Sequence, residues 1–198
     1  GQAQIMNPYL PFSGNAEVCT IRLDFDGSVI VTMGTTPSGQ GHETAASQVV
    51  ADELNIDPSM VHVRSGFDSD WNTFTGHSGT YASQFAVTGL SAVHGACQKL
   101  KKQMRQLASY TLEVGEQDLE FGMGNQGPQL GVKGTDKAIN YWALSNLANN
   151  NNASLDESLA DVTLNVRHVY RPPFKVPDTG RKFGNLTLTY AAQLHIAV

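Results

Sequence analysis

Gly34-Thr35-Thr36-Pro37-Ser38-Gly39-Gln40-Gly41-His42-Glu43-Thr44 is the stretch around which this sequence organises itself. It follows an apolar run, Val29 to Met33, that reads as a strand. It precedes a run in which Ala46, Val49, Val50 and Leu54 fall on one helical face, so a helix is expected from about His42 to Leu54. The order is therefore strand, glycine-containing loop, helix start. A helix start leaves up to four backbone N–H groups without intrahelical partners and carries partial positive charge. Glycines let a ligand come close to such a backbone, and Ser and Thr hydroxyls add donors. A second segment, Gly79-Thr80-Tyr81-Ala82-Ser83, stands in the same relation to a longer helix. Two such helix starts, brought together, would cradle a phosphorylated cofactor.

The first loop fails the tests of three better-known motifs. Gly34-x-x-x-x-Gly39 continues with Gln40-Gly41, where a P-loop needs Lys and then Ser or Thr. Gly39-x-Gly41 lacks the third glycine of the dinucleotide fingerprint, because Thr44 occupies it. His42-Glu43 is followed by Ala46, where a zinc-protease helix needs its second histidine. On its residues alone the loop is either an ordinary turn or an anion site.

Outward from the loop, Cys19, Ile21, Leu23 and Phe25 alternate with polar residues. Asp26-Gly27 then supplies a two-residue turn, which predicts a hairpin with Val29 to Met33. Asn55-Ile56-Asp57-Pro58 ends the first helix, and Val61 to Ser65 reads as a short strand. The longer helix is expected over about Gln84 to Glu113, with Phe85, Gly89, Ala92, Ala96, Leu100, Met104, Leu107 and Thr111 on its apolar face. The small residues Gly89, Ala92 and Ala96 read as a packing surface. A second hairpin is expected at Asp118 to Phe121 and Gln129 to Lys133, a short helix at Ala138 to Leu147, and a polar loop at Asn149 to Asn152. Long strands are expected at Val162 to Tyr170 and Leu186 to Val198, with a Pro/Gly-rich stretch between them. The pattern is α+β, a mixed sheet with hairpins and two principal helices, and it argues against a doubly wound parallel fold.

Composition narrows the function classes. The chain has 198 residues, a net charge of −5 and only 16% charged residues, against a usual share of about 25%. Gly and neutral polar residues take up the difference, as suits a surface covered within a larger assembly. Lys99, Lys101, Lys102 and Arg105 form the one basic cluster and read as a solvated helix face, so nucleic acid is not an expected partner. No apolar run is long enough for a membrane span, and no membrane partner is expected. Cys19 and Cys97 give no disulfide framework and no Cys-rich metal site. They read as buried free thiols, which suits a cytoplasmic protein. The chain begins at Gly1 without a methionine and ends within a predicted strand, so a fragment or split subunit is expected.

The series Gly34 to Thr44, Gln48, Ala51-Asp52-Glu53-Leu54-Asn55-Ile56, Val61-His62-Val63, Gly66 and Gly79 to Ser83 resembles the molybdenum hydroxylases. It looks like the molybdopterin-binding large subunit of the xanthine dehydrogenase and aldehyde oxidase family, especially the carbon monoxide dehydrogenase-like branch. Gly89, Leu112-Glu113-Val114 and Asp118-Leu119-Glu120-Phe121 continue the likeness. It is strongest over 16–121 and returns at Tyr190 and His195, so 1–198 is expected to be part of a molybdopterin-binding domain.

The resemblance implies that Gly39, Gln40, Gly41, His42 and Thr44 line one side of the pterin and its phosphate, and Thr80, Tyr81, Ala82 and Ser83 the other. It implies molybdenum held by the pterin, in the cytosine dinucleotide form, with no metal ligand from this chain. It implies hydroxylation of a small substrate, such as an aldehyde or heteroaromatic, with water as oxygen source. Electrons would leave through 2Fe–2S clusters and FAD on partner domains or subunits, with the rest of the molybdopterin-binding subunit a further partner. The family's Val-Gly-Glu segment, which carries its glutamate base, has no counterpart here. No catalytic residue is assigned, and the chain is not expected to turn over alone. Glu43, Glu113 and Glu116 read as helix-end or surface residues, and His62, His77, His94, His168 and His195 as structural. Gln84 stands where the family usually has Arg. Two other readings remain beside this one: a non-catalytic assembly domain that keeps the fold, and a generic phosphate-binding module.

Overall fold

The computed structural model describes residues 2–6, 16–66, 68, 70, 84–149, 156–159, 161–171 and 186–190. The hairpin forms, but its turn is the three-residue loop Phe25 to Gly27 rather than the two-residue turn expected: the Asp24 N–H bonds Ser28 O at 2.8 Å and the Gly27 N–H returns to Asp24 O at 3.0 Å, which leaves Phe25 exposed. β2 (Glu17–Leu23) and β3 (Val29–Met33) pair antiparallel with Ile21 opposite Val31. Gly27 takes the turn at φ +84, a conformation that costs glycine nothing. β1 (Gln2–Met6) precedes them and pairs antiparallel with β9 (Leu186–Tyr190). That first strand carries no periodic signal strong enough to be read beforehand. Of the strand expected to reach Val198, only β9 lies within the described residues.

After β3 the chain enters the glycine loop and then α1 (His42–Leu54), with the bounds expected. Asn55 ends α1 in the left-handed conformation, and the Ile56 N–H returns to Ala51 O at 3.0 Å. β4 (Val61–Ser65) then pairs parallel to β3, so α1 is the crossover of a β–α–β unit. β8 (Asn165–Tyr170) closes the other side of β2, giving a four-stranded mixed sheet in the order β4-β3-β2-β8. β8 starts three residues later than its alternation suggests, because the Leu23 N–H bonds Leu164 O just outside the ladder.

The long helix is not continuous. α2 (Gln84–Val87) stops at Thr88, and α3 (Gly89–Leu112) begins anew. A Cβ on Gly89 would stand against the Phe85 ring, 3.1 Å from Cγ and nearer still to Cδ2 and Cε2. Gly89 therefore makes room for Phe85, its neighbour one turn back. Gly95 does the same for the His168 ring of β8. α3 packs on β2 and β8, and α1 packs on α3 and β4. Cys19, Ile21, Leu23, Val29, Val31 and Met33 of the sheet, Val50 and Leu54 of α1, and Ala96, Leu100, Met104 and Leu107 of α3 share one core. Thr111, expected on the apolar face, is exposed, and its hydroxyl donates to Leu107 O at 2.8 Å. A helix can satisfy a hydroxyl on its own backbone, so Thr111 has no need of the core.

β5 (Leu119–Gly124) and β6 (Gly127–Val132) form the second hairpin, with β7 (Ala138–Asn140) completing a three-stranded sheet. The helix expected from Ala138 starts only at Tyr141, as α4 (Tyr141–Asn149). Residues 138–140 are drawn onto β6, and the Asn140 carboxamide oxygen accepts the Ala143 N–H at 2.8 Å as the cap of α4. The buried Tyr141 hydroxyl donates to Leu54 O at 2.6 Å, fastening α4 to the end of α1. Both cysteines are free and buried, and burial pushes the Cys97 thiol up to about 12. Most of the loop expected at Asn149 to Asn152 lies outside the described residues, as does most of the Pro/Gly-rich stretch before β9.

The basic cluster only partly faces solvent. Lys99 and Lys102 are exposed, but Lys101 donates to Glu53 Oε2 at 2.8 Å, and Arg105 lies over the Phe121 ring at 4.9 Å. Glu53 also receives Gln98 Nε2 at 2.7 Å and lies 3.1 Å from His94 Nε2. Burial alone would raise the Glu53 carboxyl, but Lys101, Gln98 and His94 outweigh it and hold the group below its ordinary 4.5. A carboxyl lowered in the folded state stabilises above its unfolded value, and that stabilisation is lost as pH falls through the folded value. Glu53→Gln is therefore expected to lower the melting temperature at neutral pH and to flatten its decline below pH 4.5. Melts across pH test this, and parallel profiles for variant and parent would contradict it.

Candidate functional site

The loop between β3 and α1 has a buried base and an exposed tip. Thr35 is 1% exposed and His42 4% exposed, whereas Ser38, Gly39, Gln40 and Gly41 are all exposed. Gly39 and Gly41 adopt φ +102 and φ +70, which residues with a Cβ reach only under strain. Among the described residues, a Cβ on Gly39 would meet nothing within 4 Å, and one on Gly41 would meet only Thr44, at 3.9 Å. Packing among the described residues thus does not require these glycines. They leave open space over the backbone, as a ligand that approaches it closely would need.

Gly41 is also the N-cap of α1, and no side chain caps the helix there. Helix geometry leaves the first amides of α1, at His42, Glu43 and Thr44, without intrahelical partners. The Glu43 carboxylate turns back to its own N–H and accepts a hydrogen bond from the Ser65 hydroxyl of β4. The Ser65 bond, first among its causes, holds Glu43 below the usual carboxylate range. Glu43 is therefore a helix-end residue tied to the sheet. The Gln40 carboxamide oxygen accepts the Ser38 N–H at 2.5 Å, closing the tip upon itself. Thr44 is exposed one turn into the helix.

His42 departs most from a plain helix-start residue. Its ring stacks on Phe85, with centroids 3.7 Å apart and planes at 11°. The imidazole hydrogen-bonds to the Thr35 backbone, while the buried Nδ1 has no hydrogen-bond partner among the described residues. Burial pulls the ring below the usual histidine value, so it is neutral at pH 7. Phe85 is the second residue of α2, and α2 follows directly on the second glycine segment. The first residue of one helix thus touches the start of the other. Thr80, Tyr81, Ala82 and Ser83 lie outside the described residues, as do His77 and His195. Glu17, Thr35 and Phe85, which the sequence reading did not single out for the site, all join it. The only advance signal for Phe85 was its place on an apolar helix face.

A neutral imidazole with one orphaned nitrogen, two positive-φ glycines open to solvent and an uncapped helix start together fit a polar, phosphate-bearing group. Among the described residues, no cluster of three or more His, Cys, Asp or Glu is placed to hold a metal ion. Also among the described residues, no helix is long and apolar enough to cross a membrane.

Comparison with known proteins identifies the family. A family profile described as the molybdopterin cofactor-binding domain matches residues 2–198. The carbon monoxide dehydrogenase large chain of Hydrogenophaga pseudoflava is 34% identical over 130 residues, covering 66% of this chain and 15% of that one. Among solved structures, quinoline 2-oxidoreductase from Pseudomonas putida 86 superposes with a TM-score of 0.68 at 30% identity, over 80% of this chain and 19% of that one. The Cu,Mo-containing carbon monoxide dehydrogenase superposes with a TM-score of 0.63 at 32% identity, over 79% of this chain and 18% of that one. The chain belongs to the molybdopterin cofactor-binding domain family of the molybdenum hydroxylases. It spans under one fifth of the length of these relatives.

Proposed function

We propose that residues 1–198 are the cofactor-binding part of a molybdenum hydroxylase that oxidises an aldehyde, heteroaromatic or similar small substrate with water as oxygen source. The observation that carries this reading is the His42–Phe85 stack, centroids 3.7 Å apart. It brings the start of α1 to the start of α2, as a cofactor cradled by both glycine segments requires. Gly39, Gln40, Gly41, His42 and Thr44 would hold one side of the pterin and its phosphate. Thr80, Tyr81, Ala82 and Ser83, immediately before α2, would hold the other. The pterin, proposed to be in the cytosine dinucleotide form, would supply the molybdenum that carries the redox chemistry.

This chain's own work is to bind and orient. Backbone amides at the start of α1 meet the phosphate, and the glycines admit it without a side chain in the way. His42, neutral at pH 7, offers hydrogen bonding rather than charge. That one relative is the large chain of a carbon monoxide dehydrogenase supports partner subunits, which we propose carry 2Fe–2S clusters and FAD. The free buried thiols support a cytoplasmic setting.

The test is elemental and pterin analysis of the complete enzyme purified with its partner chains. Molybdenum and pterin in equal amounts are expected, with no hydroxylase turnover by the 198-residue chain alone. Absence of both from a complete assembly would leave the chain as an assembly domain. Binding of inorganic phosphate without pterin selectivity would leave a generic anion module.

A further inference from the structure

Glu17 is a carboxylate with 2% of its surface exposed, at the first position of β2. The β2–β3 register places Cys19 opposite Met33, so one ladder continued to its end would set Glu17 opposite Thr35. There the Thr35 hydroxyl donates to Glu17 Oε1 at 2.6 Å. Thr35 begins the buried base of the glycine loop, and its backbone bonds the His42 imidazole. His42 closes the other end of the loop and stacks on Phe85. A buried sequence of contacts thus runs from Glu17 through Thr35 and His42 to Phe85, beneath a tip whose residues 38–41 are exposed.

We infer that Glu17 is a positioning residue for the cofactor loop, acting through Thr35 on His42 and so on the direction of the first amides of α1. The inference rests on the proposed cofactor role of that loop. The tip is exposed and its glycines stand at φ +102 and +70, so the loop's direction depends on what fastens its ends. The hydrogen bond to a carboxylate is a strong tether at one end of the loop. The sheet is rigid, so Glu17 transmits the position of β2 to the loop. Glu17 touches no reacting atom in this scheme. Its effect falls on how tightly the pterin is held and how uniformly it is oriented.

The experiment compares Glu17→Gln, Thr35→Val, Thr35→Ser, Gly41→Val and the remote core variant Leu100→Ala in the complete enzyme with its partner chains. The readout is the rate at which pterin leaves the loaded protein, followed as its fluorescent oxidation product, beside the melting temperature of each variant without cofactor. Glu17→Gln and Thr35→Val are expected to lose pterin roughly tenfold faster than the parent, the factor for one charge-assisted hydrogen bond. Thr35→Ser, which keeps the hydroxyl, should return the rate close to the parent's. Leu100→Ala should lower the melting temperature and leave the rate near the parent's.

Pterin retained by Thr35→Val as by the parent, while Gly41→Val loses it, would overturn the positioning role and leave the cofactor reading intact. A rate that follows melting temperature alike in Thr35→Val and Leu100→Ala would overturn it too. Retention in Gly41→Val would remove the cofactor reading and this inference with it. The Thr35 pair decides by itself if Glu17→Gln fails to assemble.

Discussion

Gly41→Val is expected to empty the complete enzyme of pterin while leaving the chain folded. The position has φ 70 and ψ 42, left-handed backbone, and a β-branched residue there is strained by about 1–2 kcal/mol. A domain of this size tolerates such a loss. Among the described residues the new Cβ would meet only Thr44, at 3.9 Å, so no clash with them adds to the strain. The large effect is on the ligand, because the valine methyls fill the open space above the helix start.

Gly41→Asn separates the two contributions. Asparagine accepts left-handed backbone and is a favoured N-cap, so it should melt close to the parent. Its side chain would still bond the free amides of α1, in competition with a phosphate. Both variants should therefore lack pterin, and only valine should lower the melting temperature. Full pterin content in Gly41→Asn would mean that the ligand does not reach this backbone.

Gly89→Ala should have the next largest effect, and with a sign opposite to helix propensity. Alanine in place of glycine within a helix ordinarily stabilises by about 1 kcal/mol. Here the new methyl meets Phe85, which is 6% exposed and stacked on His42, so a shift of the ring disturbs the stack. Overpacking of this kind costs about 1–3 kcal/mol, and the displaced ring takes the His42 contact with it. A lower melting temperature together with reduced pterin content is the expected pair of results. The double variant Gly89→Ala with Phe85→Leu should recover stability but not pterin content, since it relieves the clash without restoring the aromatic stack. Parental values of both quantities in Gly89→Ala would show that α2 gives way freely.

The features that could be read in advance are those set by near neighbours. Asp26-Gly27 marks its own turn, and α1 is bounded by a glycine at one end and Asn55 at the other. The break at Thr88 escaped because apolar spacing runs straight through it. Thr88, where α2 gives way to α3, keeps helical φ and ψ, so no residue type marks the break. β7 escaped because its three residues become a strand only when β6 is present to pair with them. The same division holds for the site. Glycines 39 and 41 and the helix start are local and were legible. The His42–Phe85 stack and the Glu17–Thr35 bond join distant parts of the chain, and no periodicity encodes such contacts. The identity of the cofactor came from the family resemblance, since an uncapped helix start by itself accepts many anions.

The sheet order β4-β3-β2-β8 also bears on how the protein is made. β2, β3, α1 and β4 leave the ribosome in close succession and can assemble early. β8 emerges only after α3 and the second sheet, so the other edge of β2 waits until residues 165–170 are made. During that interval its backbone donors and acceptors stand open on a strand carrying Val18, Cys19, Ile21 and Leu23, the kind of edge that recruits neighbouring chains. Production of this protein is therefore most exposed to aggregation before β8 arrives. A chaperone that shelters β2 would raise the yield of folded chain even though it does not touch the cofactor site.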